Sequence, residues 1–482
     1  MKTFRSSTKE QIAEQGLATL EKTVAGTKII QFLFFEVVIM IKWSMFNFFI
    51  DDDAYLIIKN NLTASVVRIS KKIKREIDDS LPLINYEHLF NLKDPTKQDL
   101  IVKKLLEKGL LINSNVNEKQ KYKKLFLDYR KKDTTFAVYL ATTTDCQLDC
   151  PYCFEGRDKK KDYMSIKEAN DIVEWASEYL DQNVCSKLRV VLYGGEPLLN
   201  KKIIKYILPK FKNISDKKFI PLEVGILTNG EFLNFEMGKF LNIYNLDKVQ
   251  ITIDGPEEVH NSRRFRKNTK KGTFQKIINN IICLLENNFA SKIDIRINFD
   301  TQNINRIPEL FDVLKSKGVG DRVNLSFGII TPTIPTGQKS YFKENGLKQV
   351  DNAEKYIWLC SEAKKRNLII PKEFLAGPWC VARKIHSAVV LPKGGILKCI
   401  SLVGRDKFIF NNINNHINLT DKRFTNFEYI DYCLNNNCPF VPICGGGCRF
   451  EAYLSTGNFS KPHCQKQLIE NINKGLTILN YK

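Results

Sequence analysis

Residues 142–156, TTTDCQLDCPYCFEG, place three cysteines at Cys146, Cys150 and Cys153 in the spacing C-x3-C-x2-C, with no fourth ligand nearby. A structural zinc takes four protein ligands in a closed tetrahedron, whereas three thiolates in one loop leave a metal position open for chemistry or an exogenous ligand. The tail is a second thiol-rich region. It holds Cys380, Cys399, Cys433, Cys438, Cys444, Cys448 and Cys464, including the run CLNNNCPFVPICGGGC, spaced C-x4-C-x5-C-x3-C. One or two zinc sites are the plain reading of such a tail, but zinc favours four or eight closed ligands and seven suits it poorly. Iron–sulfur cages fit equally well on ligand softness.

The chain bears thirteen cysteines, an odd number that cannot all pair within one chain. The N-terminal region has no small-residue cleavage site behind a short apolar stretch, so a secreted disulfide framework is disfavoured and reduced, metal-holding thiols in a cytoplasm are expected. The formal net charge of +21 invites a nucleic-acid partner. The basic residues are scattered, as in KKIKREIDD and RKKD, which reads as solvated faces with room for a basic groove that takes an acidic peptide. Ile29–Ile50 is long enough to span a bilayer, but Glu36 and Lys42 interrupt it. Each charge costs about 2.5–3.5 kcal/mol near a membrane centre, the glutamate less firmly, so a buried helix or an over-extended start before Met45 is preferred to an anchor.

The elements that must position the thiols can be read from periodicity. Residues 54–69 form two strands about an Asn-Asn turn, KQDLIVKKLLEKG forms a helix, and Gly109 releases a short strand LLIN. Two strands with two or three helices make a winged-helix-like module over residues 50–115, a binder of DNA, a scaffold, or a receptor that adds a peptide strand to its sheet edge. From residue 135 strand and helix alternate. Strands are expected at 135–141, 188–194, 222–228, 248–254, 292–300 and 322–328, giving an α/β fold with a partial (β/α)6 TIM-like barrel. Function in such barrels sits at the strand C-termini, and the three-cysteine loop follows the first strand. The divisions expected are an N-terminal extension 1–49, the module 50–130, the barrel 131–345 and a cysteine-rich iron–sulfur domain 346–482.

More chemistry falls at the same barrel edge. YGGEP (Tyr193–Pro197), LTNG (Leu227–Gly230) and TIDGP (Thr252–Pro256) follow the second, third and fourth strands, each joining glycine to a polar side chain. Glu196 can pair with an amino group, and Thr228, Asn229 and Asn298 can hydrogen-bond a ribose or carboxylate. No catalytic acid or base can be chosen among Asp254, Tyr193 and Arg296 on these grounds.

Cys146-x3-Cys150-x2-Cys153 after strand one, with Tyr152 just before the last cysteine, resembles the radical S-adenosylmethionine (SAM) signature. The resemblance implies a [4Fe–4S] cluster on the three thiolates, with SAM filling the open iron. It also implies that Gly194, Gly195 and Glu196 form the element for the methionine amino group, and that Tyr152, Thr228, Asn229 and Asn298 complete the SAM contacts. The tail resembles the SPASM domain of radical SAM enzymes acting on peptides. That implies Cys380, Cys399 and Cys448 for a first auxiliary cluster and Cys433, Cys438, Cys444 and Cys464 for a second. The x4 spacing between Cys433 and Cys438 departs from the family's x2 and weakens Cys433 as a ligand. Three thiols leave an iron of the first auxiliary cluster open, unless His386 supplies a further ligand. Cys185, Cys283 and Cys360 are left over, and Cys283, in an apolar helix, reads as a core filler.

The whole resembles the radical SAM maturases of ribosomally made precursor peptides. The implied mechanism cleaves SAM to methionine and a 5′-deoxyadenosyl radical, which takes a hydrogen atom from a peptide C–H, and the product expected is a crosslink, foremost a cysteine thioether as in sactipeptides. The implied partners are a leader-bearing precursor peptide and a flavodoxin or ferredoxin electron donor, with no nucleic acid and no membrane. A sulfatase-maturase-like protein oxidase of the same family is the nearest alternative, and a zinc-stabilised nucleic-acid-binding protein the remote one.

Overall fold

The computed structural model describes residues 17–24, 27–34, 39–153, 155–156, 160–330, 339–347, 351–375, 380–415 and 418–481. Two compact units divide the chain at Lys121/Tyr122.

In the first unit, β1 (Leu17–Val24) and β2 (Thr27–Phe34) pair antiparallel, β3 (Ile41–Trp43) pairs with β7 (Leu111–Asn113), and β4 (Asn47–Asp52), β5 (Tyr55–Asn60) and β6 (Val66–Ser70) form an antiparallel three-stranded sheet. The described part of Ile29–Ile50 is therefore strand with a turn at Met45–Phe46 between β3 and β4, and not the expected buried helix. Its β-branched and aromatic residues suit a pleated surface better than a helical turn. Residues 1–16 of the N-terminal extension lie outside the described residues. The Asn-Asn turn between β5 and β6 closes on the Asn60 side chain, whose Oδ1 accepts from Leu62 N and Thr63 N, both at 2.9 Å. Three helices, Lys71–Ser80, Tyr86–Asn91 and Lys97–Glu107, complete the unit, the last begun by a reciprocal Thr96/Asp99 capping box. Ile58, Ile77, Val102 and Leu105 meet in its core.

The second unit is built on one sheet in the order β13-β12-β11-β10-β9-β8-β14-β15-β16. β8 (Thr135–Thr143), β9 (Lys187–Gly194), β10 (Leu222–Thr228), β11 (Leu246–Thr252), β12 (Lys292–Phe299) and β13 (Asn324–Ile329) are mutually parallel and lie in chain order. Each falls within two residues of its expected position. Helices return the chain between them, among them Ile166–Gln182, Lys201–Lys217, Phe274–Glu286 and Ile307–Ser316. Their apolar faces bury Ile172, Trp175, Ile204, Ile207, Ile277 and Leu310 against the strands' Leu140, Leu192, Ile226, Ile251 and Ile297. This is the β/α succession of an open (β/α)6 barrel, with strand C-termini all at one edge.

β14 (Ser387–Val390) of the tail pairs parallel to β8, and β15 (Gly395–Leu397) and β16 (Asn411–Asn412) extend that side antiparallel. The first barrel strand thus has a partner on both sides. Cys360 is fully buried in the main core, whereas Cys283 is half-exposed, so the core-filling role expected of Cys283 belongs to Cys360. Among the described residues no helix is long and apolar enough to cross a membrane.

Phe136 at the start of β8 stacks on Tyr179 with ring centroids 4.3 Å apart, and Trp175 lies 5.7 Å from Phe136 on the same helix face. Trp175→Ala removes a 3 %-exposed ring from this support. It is expected to cost about 3–5 kcal/mol of unfolding free energy in a denaturant titration.

Candidate functional site

The three thiols sit on the loop leaving β8, and the backbone fixes that loop from two sides. Gly195 N donates to Thr143 O at 3.1 Å and Glu196 N to Asp145 O at 2.8 Å, stitching the end of β9 to the loop's entry. On the far side Asp149 N donates to Phe265 O at 3.0 Å and Lys267 N to Gln147 O at 2.9 Å. The glycine pair is required for the first contact. A Cβ on Gly194, at φ 125°, would lie 2.1 Å from Thr143 O, and one on Gly195 would lie 2.1 Å from Asp145 O. The glycines serve close approach between two strand ends.

Glu196 ties the next strand to the same point. One carboxylate oxygen accepts from Leu198 N at 3.0 Å, the other from Asn229 N at 2.7 Å, and the Thr228 hydroxyl bonds to the pair at 2.8 and 2.9 Å. Two oxygens offer about four acceptor sites, so three donors leave one for a ligand. Burial pushes this carboxyl up to about 7, against the pull of its hydrogen bonds. Asn229 exchanges amide hydrogen bonds with Gln147 at 3.2 and 3.3 Å, and Gln147 also reaches Glu231 at 2.9 Å.

These groups edge a cavity of about 450 Å³ lined by Cys146, Cys150, Tyr152 and Cys153, by Gly194, Gly195, Thr228, Asn229 and Asn298, and by Arg264 and Arg296. Such a volume suits a small-molecule cofactor. Of the seven residues expected to contact SAM, six line it, and Glu196 lies directly behind, fully buried, bonded to Thr228. The Tyr152 hydroxyl bonds to Asp254 and accepts from Arg264 Nη1 at 2.8 Å. Asp254 also accepts from Asn298 N at 3.0 Å, and Arg263 forms a bidentate pair with Asp300 at 3.0 Å. Burial raises the Cys146 thiol, aided by Cys150 and Glu196, and raises Cys150 to about 11, with Arg264 opposing. Arg264 and Gln147 were not expected from sequence. The only hint of Arg264 was the basic run RRFRK, which reads equally well as solvated surface.

Residues 140–327 match the model of the Radical SAM superfamily. The barrel is a radical SAM domain. Enzymes of that superfamily use a [4Fe–4S] cluster with SAM. The chain is similar to the radical SAM cyclopropyl synthase TigE of Paramaledivibacter caminithermalis, at 22% identity over 416 residues, 78% of this chain and 82% of that one. It is also similar to the Fe-coproporphyrin III synthase of Methanosarcina barkeri, at 27% over 191 residues, 39% of this chain and 43% of that protein. Among solved structures, native anSMEcpe with bound AdoMet superposes with a TM-score of 0.57 at 18% identity, covering 72% of this chain and all of that one, a likeness of fold.

Beyond the radical SAM domain, the tail thiols fall into two groups. Cys399 is raised by burial and then by Cys380 and Cys448. Cys433 is pushed up to about 12 by burial and then by Cys438, Cys444 and Cys464. The unusual spacing after Cys433 is absorbed by a turn. The helix Glu428–Asn435 ends with Asn437 at φ 50°, and Cys438 N returns to Cys433 O at 3.1 Å. Among the described residues no three His, Cys, Asp or Glu side chains meet closely enough to grip one metal ion. His386 is engaged elsewhere, its Nδ1 at 2.7 Å from the Tyr179 hydroxyl. Tyr193, buried, packs in one cluster with Cys399 and lines the same cavity as Cys153.

Two outcomes test the frame of the site. Gly195→Ala is expected to displace the cysteine loop and lower bound iron by about four per chain, read by iron assay on protein handled without oxygen. Glu196 binds a proton in the folded chain between its ordinary pKa and about 7, so over that window stability falls as pH rises, by at most about 1.4 kcal/mol per pH unit. Glu196→Gln is expected to flatten this slope between pH 5 and 7 and to cost about 1–3 kcal/mol, because its amide nitrogen faces a backbone N–H; denaturant titrations at the two pH values check both.

Proposed function

We propose that this chain is a radical SAM maturase of a ribosomally made precursor peptide and that it installs a crosslink, foremost a cysteine thioether. The observation that carries the reading is a single cavity with two walls. One wall is the Cys146–Cys153 loop, and the other is made by Ile400, Ser401, Phe450 and Glu451, which adjoin Cys399 and Cys448. A small cofactor needs no second wall next to a further pair of cysteines, whereas a bond-forming reaction on a bound chain can use one.

In this reading Cys146, Cys150 and Cys153 hold a [4Fe–4S] cluster, Cys380, Cys399 and Cys448 a first auxiliary cluster, and Cys433, Cys438, Cys444 and Cys464 a second. Bound together, the first cluster and SAM supply a hydrogen-abstracting radical. The protein's part is positioning. The spare acceptor site of Glu196 takes the cosubstrate's ammonium, Arg264 its carboxylate, and Asn229 and Asn298 its hydroxyls, with Tyr152 flanking. Tyr152, Phe342 and Phe450 keep water from the reacting carbon. Three thiols at Cys380, Cys399 and Cys448 leave room for a substrate thiolate, which is what supports a thioether over other crosslinks.

Residues 50–130 act as a winged-helix-like leader-recognition domain whose sheet edge, β6 or β4, adds the leader as a strand. Residues 131–345 are the catalytic barrel and 346–482 the auxiliary-cluster domain. A flavodoxin or ferredoxin supplies electrons in a cytoplasm without oxygen.

Iron and sulfide content of anaerobically purified protein tests the reading. About twelve irons per chain are expected, falling by about four in a Cys146→Ala/Cys150→Ala/Cys153→Ala variant. Colourless protein with zinc in place of iron would overturn it.

A further inference from the structure

The cavity contains a cation that the cofactor reading leaves unused. Arg296, on β12, turns into the barrel, and three of its hydrogen bonds go to neutral acceptors: Asn298 Oδ1 at 3.1 Å, the Ser326 hydroxyl at 3.2 Å and Phe327 O at 3.3 Å. Among the described residues no carboxylate stands within 4.0 Å of it, whereas its neighbour Arg263 is fully matched by Asp300. Burial pulls the Arg296 guanidinium below its ordinary pKa, with Tyr356 and then Asp254 opposing. The room it occupies is provided for. A Cβ on Gly328 would lie 2.1 Å from Arg296 Nη2, so glycine at that position is what admits the guanidinium.

A half-buried cation that lines a cavity and has no ion pair is costly, and such groups are kept where an anion arrives to pair with them. Arg264 already stands beside the thiols, bonded to Tyr152, for the cosubstrate's carboxylate. Arg296 stands instead among Asn298, Ser326 and Gly328 on the barrel's later strands. We infer that Arg296 is a specificity residue that binds a carboxylate of the substrate, an Asp or Glu side chain near the residue being modified. The assignment rests on the peptide-maturase reading above. A chain with a net charge of +21 favours the approach of such an acidic peptide.

The test is isothermal titration of the reconstituted enzyme, with and without SAM, using the probes Ac-Gly-Gly-Xaa-Gly-Gly-NH2 in which Xaa is Asp, Glu, Asn or Gln. A charge-assisted pair predicts that the better acid binds about tenfold to a hundredfold more tightly than its amide. Arg296→Gln is expected to abolish that preference with SAM affinity within about twofold, and Arg296→Lys to keep part of it. Unchanged SAM affinity also shows that the variants fold. Equal binding of acid and amide by the wild-type protein overturns the assignment. So does a loss of SAM affinity in Arg296→Gln with the acid preference intact, which would give Arg296 to the cosubstrate. Wild-type protein that prefers the acid but binds no SAM would sustain the carboxylate site and count against the radical reading instead.

Discussion

Everything at this site depends on two backbone segments coming closer than side chains allow. The end of β9 lies against the entry of the cysteine loop through Gly195 N to Thr143 O and Glu196 N to Asp145 O, and a methyl group on either glycine would fall inside a carbonyl oxygen's radius. From this contact the rest follows outward. Glu196, held by it, reaches across to Asn229 N and Thr228, so that β8, β9 and β10 end at one place. Asn229 in turn holds Gln147, within the cysteine loop itself. The thiols are placed by a closed circuit of hydrogen bonds with little of the freedom of an ordinary surface loop.

The same circuit lies in a dry environment, and that sets the chemistry of the thiols. Burial raises Cys146, Cys150, Cys399, Cys433 and Cys444, so without metal these groups are protonated. Metal ligation requires thiolate, so any metal centre held by these thiols, as proposed above, must expel their protons and bring its own positive charge into the interior. The fold supplies part of the balance at the first group, where Arg264 opposes the rise at Cys150. Near the tail thiols, Arg383 opposes it at Cys444 and Arg449 at Cys433.

The strands were legible because each is a short apolar run set between helical segments, and the thiols because cysteine spacing states ligand geometry directly. That Thr228, Asn229 and Asn298 would lie at the barrel's functional edge was legible from their places at the ends of strands, and all three line the cavity. Arg264, Gln147 and the role of Gly328 were not. An arginine in RRFRK has the same local pattern whether it faces water or turns inward to Tyr152, and only the packing of Asp254 and Tyr152 decides between them. Ile29–Ile50 misled for a related reason: hydrophobicity without a clear period serves a helix and a strand alike until its partners are known. The pairing of β3 with β7, about seventy residues apart, is nonlocal information of that kind.

The join between barrel and tail carries the last step. An open barrel leaves its first strand with an unpaired edge, which most proteins cover. Here β14 covers it, pairing Ser387–Val390 with Ala137–Leu140, and β15 follows, ending two residues before Cys399. The loop that leaves β8 carries Cys146, and the chain that leaves β15 carries Cys399. Two thiol groups distant in sequence thereby follow strands of one hydrogen-bonded sheet, β8 and β15, with β14 between them. Tyr193 on β9 packs against the Cys399 cluster and lines the cavity that Cys146 and Cys153 edge. A hinged tail would let that spacing vary, whereas a shared sheet holds it constant, and a reaction using both groups on one bound chain needs a constant spacing.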